Sequence, residues 1–367
     1  MNQELIYQLA LCDVPSIGNY HAKILAQHFR TATRIFRADQ SELENLEGIG
    51  PARAKAIRSF KNFHRAEKEM SFISRYGIET LFLNDSRYPA RLLHCYDPPA
   101  LLFYKGTAPV NPARAVAIVG TRNNSSYGKQ VTEKIVQQLA AYDATIVSGL
   151  AFGIDAIAHH AALKNNLPTI GVMAHGLDTI YPPEHASLAR SMMQTGGILT
   201  EFRSQTSPEK YNFPSRNRIV AGMTNATIVI ESGIKGGSMI TAEMASGYDK
   251  DVFAVPGRLT DRKSSGCNHL ISKNKAIIFE DVANLALNLG WDAPEIRHHT
   301  IQKDIFTDLS HTEKNLVTLL QSKGPMAIDE LNMHSGVSLS HLAAALLKLE
   351  LNFITERLPG KMYRIRY

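Results

Sequence analysis

The chain is poor in cysteine, with only Cys12, Cys95 and Cys267 in 367 residues. An odd, scattered set of three supports neither a disulfide framework nor a zinc site, and it fits a reducing cytoplasm. No apolar run reaches the length of about 18 residues that a membrane-spanning helix needs, so no membrane insertion is expected. The segment 1–14 carries Glu4 and Asp13 and lacks the basic-then-apolar order of a secretory signal. No Gly-x-Gly-x-x-Gly follows the first strand-like run, which removes the dinucleotide-binding fingerprint. The nearest approach to a nucleotide-triphosphate loop is Gly120…Gly128-Lys129-Gln130. Its spacing is too long, and no Ser or Thr follows the lysine to hold magnesium. His159, His160, His175 and His185 show neither metal spacing nor a paired nucleophile. The expectation is a protein without cofactor, metal or catalytic activity. Charge is also modest: a net +6 suits a polyanionic partner and equally suits an ordinary solvated surface.

Hydrophobic residues make up 44% of the chain, enough for substantial cores. Residues 1–70 read as short helices, at Glu4–Leu11, Ala22–Phe29 and Ala52–Phe63, with apolar residues at helical spacing. Residues 71–112 read as a connector that ends in Asp97-Pro98-Pro99 and then Pro109 to Pro112. From 113 to 290 short β-branched runs alternate with helical stretches. The runs are Ala115–Val119, Thr145–Val147, Thr169–Met173, Ile198–Thr200, Ala226–Ile230 and Val252–Val255. Continuous apolar runs of this length suit strands buried on both faces, hence an α/β fold: a doubly wound, mostly parallel, Rossmann-like sheet. Residues 291–307 read as a linker. Residues 308–367 read as a winged helix-turn-helix: helices Ile328–His334 and Leu339–Leu349, then wing strands Asn352–Glu356 and Met362–Ile365.

In open α/β sheets ligands sit beyond the carboxyl ends of the strands, and glycine-bearing motifs fall there. Gly120-Thr121-Arg122 follows the first run and offers close backbone approach, a hydroxyl and a guanidinium fork. Ser148-Gly149-Leu150-Ala151-Phe152-Gly153-Ile154-Asp155 follows the second, with Asp155 read as a helix cap. Asn212-Phe213-Pro214-Ser215-Arg216-Asn217-Arg218, with Lys210 upstream, joins an aromatic face to cations. A base stacks on Phe213 while the cations hold phosphates, or Phe213 is core and Arg216 pairs with a carboxylate. Gly236-Gly237-Ser238 opens another helix whose first amides suit an anion. In the N-terminal unit Gly48-Ile49-Gly50-Pro51 has the helix-hairpin-helix pattern, a candidate secondary phosphate contact or a purely structural turn. A poorer copy is Pro15-Ser16-Ile17-Gly18.

The ordered set of these motifs, with His175-Gly176-Leu177-Asp178, Tyr181-Pro182 and Pro256-Gly257, resembles the bacterial DNA processing protein A family (DprA, also called Smf). The resemblance is dense over residues 80–290, and the flanking units fit the family's helical and winged-helix domains. It implies binding of single-stranded DNA, dimerisation through the Rossmann-like domain, loading of the recombinase RecA during natural transformation, and no established catalysis. By position it implicates Gly120, Thr121, Arg122, Ser148, Gly149, Phe213, Arg216 and Asn217 in DNA binding. Lys210, Arg218, Gly237 and Ser238 are candidates beside them. Gly236 stands where many members have serine, and Pro183 stands where a basic residue would add charge.

Two other classes stay open. Gly236-Gly237-Ser238…Glu243 is similar to the loop of nucleoside-monophosphate phosphoribohydrolases, in which a glutamate acts on the glycosidic bond. A duplex-binding regulator would act through the end units, but those are only weakly basic. Residues 1–70 hold ten Lys/Arg against eight Asp/Glu, and 308–367 hold seven against six. Ser338, Ser340 and His341, heading the second winged helix, are weak base readers. Leu270, Ile271 and Ile277 mark an apolar stretch late in the sheet as the candidate dimer interface.

Overall fold

Five consecutive residues, Ala115–Val119, are all buried, and they alternate between two cores. That is the signature of a central strand covered on both faces. A computed structural model of the protein describes residues 3–292, 309–352, 354–358, 360 and 362–365. The chain forms two compact units, Met1–Pro294 and Glu295–Tyr367.

In the first unit, six helices precede the sheet: α1 (Gln3–Leu11), α2 (Asn19–Phe29), α3 (Ala32–Arg37), α4 (Gln40–Glu44), α5 (Gly50–Ser59) and α6 (His64–Tyr76). The helix expected to run to Phe63 stops at Ser59. Phe60 and Phe63 turn instead into an aromatic cluster with Phe36 and Tyr7, with centroids 5.3–6.0 Å apart. At the hairpin before α5, Gly48 (φ +83°) and Gly50 (φ +60°) occupy the left-handed region that glycine enters without steric cost. Arg53 braces the turn, donating from Nε to the Ser16 carbonyl and from Nη1 to that of Gly48, each at 3.1 Å. The helices are bonded to the sheet layer: Lys23 Nζ donates to the Leu93 and Cys95 carbonyls, and Glu69 accepts from Ser204 N and Oγ.

The sheet has nine strands: β1 (Glu79–Phe82), β2 (Leu101–Gly106), β3 (Ala115–Val119), β4 (Thr145–Ser148), β5 (Thr169–Val172), β6 (Gly197–Thr200), β7 (Ala226–Val229), β8 (Asp251–Ala254) and β9 (Ile277–Ile278). Their order is β1-β2-β6-β5-β4-β3-β7-β8-β9, parallel from β6 to β9 and antiparallel at β1 and β2. The six runs expected as strands are β3 to β8. The stretch expected as a connector, 71–112, instead supplies β1 and β2, which extend the sheet beyond β6, with α7 (Ala90–Leu93) between them.

Helices α8 (Ser126–Leu139), α9 (Ile154–Lys164) and α14 (Val282–Asn288) pack with Val116, Ile118, Ile146 and Ile228 on one face. On the other, α11 (Asn212–Gly222), α12 (Gly237–Gly247) and α13 (Ser265–Ser272) pack with Ala115, Ala117, Val119 and Ala254. Helix α10 (Ala186–Thr195) lies against β5 and β6. The candidate dimer residues separate. Leu270 is 1% exposed and Ile271 packs against the same core, because α13 turns them inward beneath β8. Ile277, on the edge strand β9, is 39% exposed.

In the second unit, α15 (His311–Lys323) starts with a capping box between Ser310 and Glu313. It is followed by β10 (Met326–Ala327), α16 (Ile328–Ser335), α17 (Leu339–Leu351), β11 (Thr355–Leu358) and β12 (Met362–Ile365), with sheet order β10-β12-β11. This is a winged helix, with β11 beginning three residues later than expected. From residue 293 to 307, the expected linker lies outside the described residues.

A buried histidine sets a pH response. The Thr169 hydroxyl donates its single proton to the Ile146 carbonyl (3.0 Å), so it accepts from His159 Nδ1–H at 2.6 Å and fixes the neutral tautomer. Burial pushes the His159 imidazole down to about 3. The unfolded chain therefore takes up a proton below about pH 6.5 that the folded protein refuses, and stability is lost as pH falls through that range. Denaturation midpoints should drop between pH 7 and pH 5, with a shallower slope in His159→Gln; parallel slopes would remove His159 as the cause.

Candidate nucleic-acid interface

Strands β3 and β7 are parallel neighbours, but the helices that follow them, α8 and α12, cover opposite faces of the sheet. The two loops therefore diverge and leave a crevice at the carboxyl ends of the strands, the topological switch point of a doubly wound fold. Thr121 N donates to the Glu231 carbonyl (2.7 Å) and ties the loops together. The Glu231 carboxylate, fully buried, accepts from Ser125 N at 2.8 Å and from the Ser125 hydroxyl at the head of α8. A Cβ on Gly128 would stand 2.2 Å from Glu231 Oε2, so only glycine lets α8 pass this close.

The glycines expected to admit a ligand's backbone instead admit the protein's own groups. A Cβ on Gly120 would meet Ile154 Cγ1 at 2.5 Å, and one on Gly149 would meet Arg216 Nη1 at 2.1 Å. Gly236 and Gly237 have no neighbour closer than 3.7 Å to an added Cβ, and they open the N-terminus of α12. The first amides of a helix have no intrahelical acceptor, so they face this space as donors.

The crevice encloses about 370 Å3. Arg216, 6% exposed, donates from Nη1 to the carbonyls of Gly149 and Val172 (2.6 Å for the latter) and from Nε to Asn217 Oδ1 at 3.1 Å. No carboxylate among the described residues lies within ion-pair distance of it. Asp155 lines the same space, and its Oδ2 accepts from Gly149 N (3.2 Å) and Ala151 N (3.3 Å), bracing that loop. Burial raises the Asp155 carboxyl, against the pull of Arg216 and these amides. Burial likewise lowers the Arg216 guanidinium, with Arg122 adding to the effect and Asp155 opposing it. Exposed Arg122 and Lys235 complete the lining charges, three cations against one carboxylate. Arg122 and Arg216 both lie over Phe213, 5.4 and 6.0 Å from its ring centroid.

Nine expected residues line this crevice: Gly120, Thr121, Arg122, Gly149, Phe213, Arg216, Asn217, Gly237 and Ser238. Three do not. Ser148 is fully buried and its hydroxyl donates inward to the Ile118 carbonyl at 2.6 Å. Lys210 is exposed in the turn before α11 and outside the lining. Arg218 points to the opposite side of α11, donating to Glu201 and to the Asp97 carbonyl in a buried ion pair. Sequence reasoning missed Lys235, and it left Ser232 and Thr241, which stand in the stretch around the Gly236-Gly237-Ser238 motif, without a site role. Lys235 carried a signal: a cation in a glycine-rich loop just after a strand. Gly48 and Gly50 lie in the helical hairpin, outside the crevice lining.

Fold and crevice define a Rossmann-like protein with an anion-receptive site at its switch point. The family model for DNA recombination-mediator protein A matches residues 79–290, a helix-hairpin-helix motif matches 7–69, and the DprA winged helix domain matches 307–361. Protein Smf of Synechocystis is 32% identical over 397 residues, covering 100% of both chains. DNA processing protein DprA of Bacillus subtilis is 42% identical over 209 residues, covering 56% of this chain and 70% of its own. Among solved structures, DprA of Streptococcus pneumoniae is similar with a TM-score of 0.67 and 32% identity, over 77% of this chain and 97% of that one. DNA processing protein A of Helicobacter pylori, a structure concerned with its single-stranded DNA binding mode, has a TM-score of 0.53 and 34% identity, over 58% of this chain and 95% of that one. The chain belongs to the DprA/Smf family of DNA-processing recombination mediators.

The two classes of arginine separate in stability measurements. Arg218→Met leaves Glu201 buried without its cation and should cost about 3–5 kcal/mol in urea denaturation. Arg122→Met, at an exposed site, should stay within about 0.5 kcal/mol of the parent. Equal, small effects would show that Arg218 is not structural.

Proposed function

We propose that the chain binds single-stranded DNA in the β3–β7 crevice and loads RecA onto it during natural transformation and recombination. It acts in the cytoplasm as a homodimer, without catalysing a reaction. One observation carries the DNA reading: among the described residues Arg216 is a buried guanidinium bonded only to carbonyls and an amide oxygen, beside Arg122, Lys235 and the open amides of α12. A buried cation without a carboxylate partner is costly, and an anion at this place relieves that cost. A phosphodiester fits the charge, and a walled crevice suits a single strand better than the broad surface of a duplex. Family membership and the single-stranded DNA binding mode of the Helicobacter pylori protein support the same choice.

The phosphoribohydrolase reading loses its acid. Glu243 is exposed and 3.6 Å from Lys275, outside the crevice lining, while Asp155 is occupied by loop amides. In the winged helix, Leu339, Leu347 and Leu351 of α17 are 55%, 57% and 70% exposed, which favours a protein contact over a duplex contact for that unit. The half-exposed edge of β9 at Ile277 and Ile278, unpaired among the described residues, suits the homodimer contact. Gly48 and Gly50 present a turn able to take a secondary phosphate.

Mobility-shift titration of Arg122→Ala with a labelled single strand tests the site. Affinity should fall about 10- to 100-fold, the scale of a lost charge-assisted hydrogen bond. The log–log salt slope should shrink by about 0.7. Parent-like affinity and slope would remove Arg122 from the DNA contact.

A further inference from the structure

Helix α17 is apolar on both sides. Leu342, Ala345, Leu346 and Leu349 are buried in the core of the winged unit. The opposite side carries Ser340, Ala343, Ala344, Leu347 and Leu351, all exposed. A helix that is apolar all round is ordinarily a buried one, so this outer face lacks its cover among the described residues. As a recognition helix it would have to read base edges, and from Ala343 to Leu347 no side chain offers a donor or an acceptor.

The outer residues have an order. Ser340, Ala344, Leu347 and Leu351 are spaced four, three and four apart, the a/d spacing of a helix–helix seam. The two small residues come first and the two leucines after them. Turned end for end about the midpoint between Ala345 and Leu346, the seam faces Ala344 with Leu347 and Ser340 with Leu351. Each small side chain then meets a large one, which is how facing layers interdigitate. A two-fold contact requires one patch that is complementary to itself, and this seam meets that requirement.

Charge points the same way. The seam has no ionisable side chain. Beside it, Lys348 pairs with Glu313 of its own unit at 3.1 Å, so its charge is met within the unit. On the other flank, the Glu350 residues of two antiparallel copies stand nine residues apart along the axis, about 13 Å. A second copy therefore meets no like charge across the seam, whereas a polyanion or an acidic protein finds no cation on it. The paired helices, of 13 residues each, are about 20 Å long. That is short for an interface that holds a dimer by itself, so the contact forms at high local concentration and adds to other contacts.

We propose that α17 is a self-docking surface: it pairs antiparallel with α17 of a second copy of this chain, Ala344 against Leu347. The inference names the partner for the protein contact read above in this unit, and it is independent of the crevice and of β9.

The test uses the full chain with Cys12→Ser, which removes the exposed native thiol. In the pair, the two Ala344 positions lie three residues apart along the axis, about 4.5 Å, and the two Ser340 positions eleven apart, about 16 Å. A disulfide needs Cα atoms within about 7 Å. Under mild oxidation Ala344→Cys should cross-link between chains, and Ser340→Cys alone should not. A mixture of Ser340→Cys and Leu351→Cys should give the mixed cross-link. Sedimentation at rising concentration should show a rise in mean mass that Leu347→Glu loses and that mixing Leu347→Glu with Leu347→Lys restores. Since Leu347 is exposed, thermal melts of its variants should match the parent. Cross-linking of Ser340→Cys alone as readily as Ala344→Cys would overturn the antiparallel register. No cross-link in Ala344→Cys, with equal masses for parent and Leu347→Glu at every concentration, would overturn the inference alone. Duplex DNA binding that Leu347→Glu abolishes would overturn the protein-contact reading and this inference with it.

Discussion

The carboxylate of Glu231 holds together the two loops from which the site is made. It is fully buried, it takes two donors from Ser125, and its own backbone carbonyl takes Thr121 N. Neighbouring parallel strands whose helices diverge would otherwise leave two independent loops. The lock also explains a glycine outside the crevice lining: Gly128, inside α8, is where the helix passes over that carboxylate. With β3 and β7 clamped, Gly120-Thr121-Arg122 and the start of α12 face each other across a fixed gap, which is the pre-organisation that binding an anion requires.

Arg216 depends on this frame. It reaches across to Gly149 and Val172, at the ends of β4 and β5, and the absence of a side chain on Gly149 makes the space. Asp155 braces the same loop from the first turn of α9. Two strand ends and the starts of α9 and α11 thus meet around one guanidinium with no carboxylate in ion-pair distance among the described residues. The family's motifs, seen this way, are in large part contacts between loops, while Arg122, Phe152, Tyr181 and the Gly236-Gly237 turn stay open toward solvent.

Much of this was legible in the sequence for a physical reason. Strands buried on both faces must be short, apolar and rich in β-branched residues, so β3 to β8 announced themselves. Strands β1 and β2 did not, because they add antiparallel to the edge of the sheet within a proline-bearing stretch that has no regular alternation with helices. The site was legible as motifs but not as directions. Arg216 and Arg218 stand two apart, and on a helix residues i and i+2 do not share a face. One therefore enters the crevice while the other pairs with Glu201 behind it. Ser148 similarly alternates inward at the end of β4, where its hydroxyl completes the bonding of β3. Leu270 followed the same pattern: an apolar residue late in the sheet is as readily core as interface.

The central claim is that the switch-point crevice receives the phosphates of a single strand. The most direct measurement is a binding titration of one labelled single strand and its matching duplex over a range of salt concentrations. The account predicts much tighter binding to the single strand, with log affinity falling linearly against log salt at about 0.7 per neutralised phosphate. Equal or tighter binding to the duplex would contradict it and move the nucleic-acid contact to the helical hairpin or the winged helix.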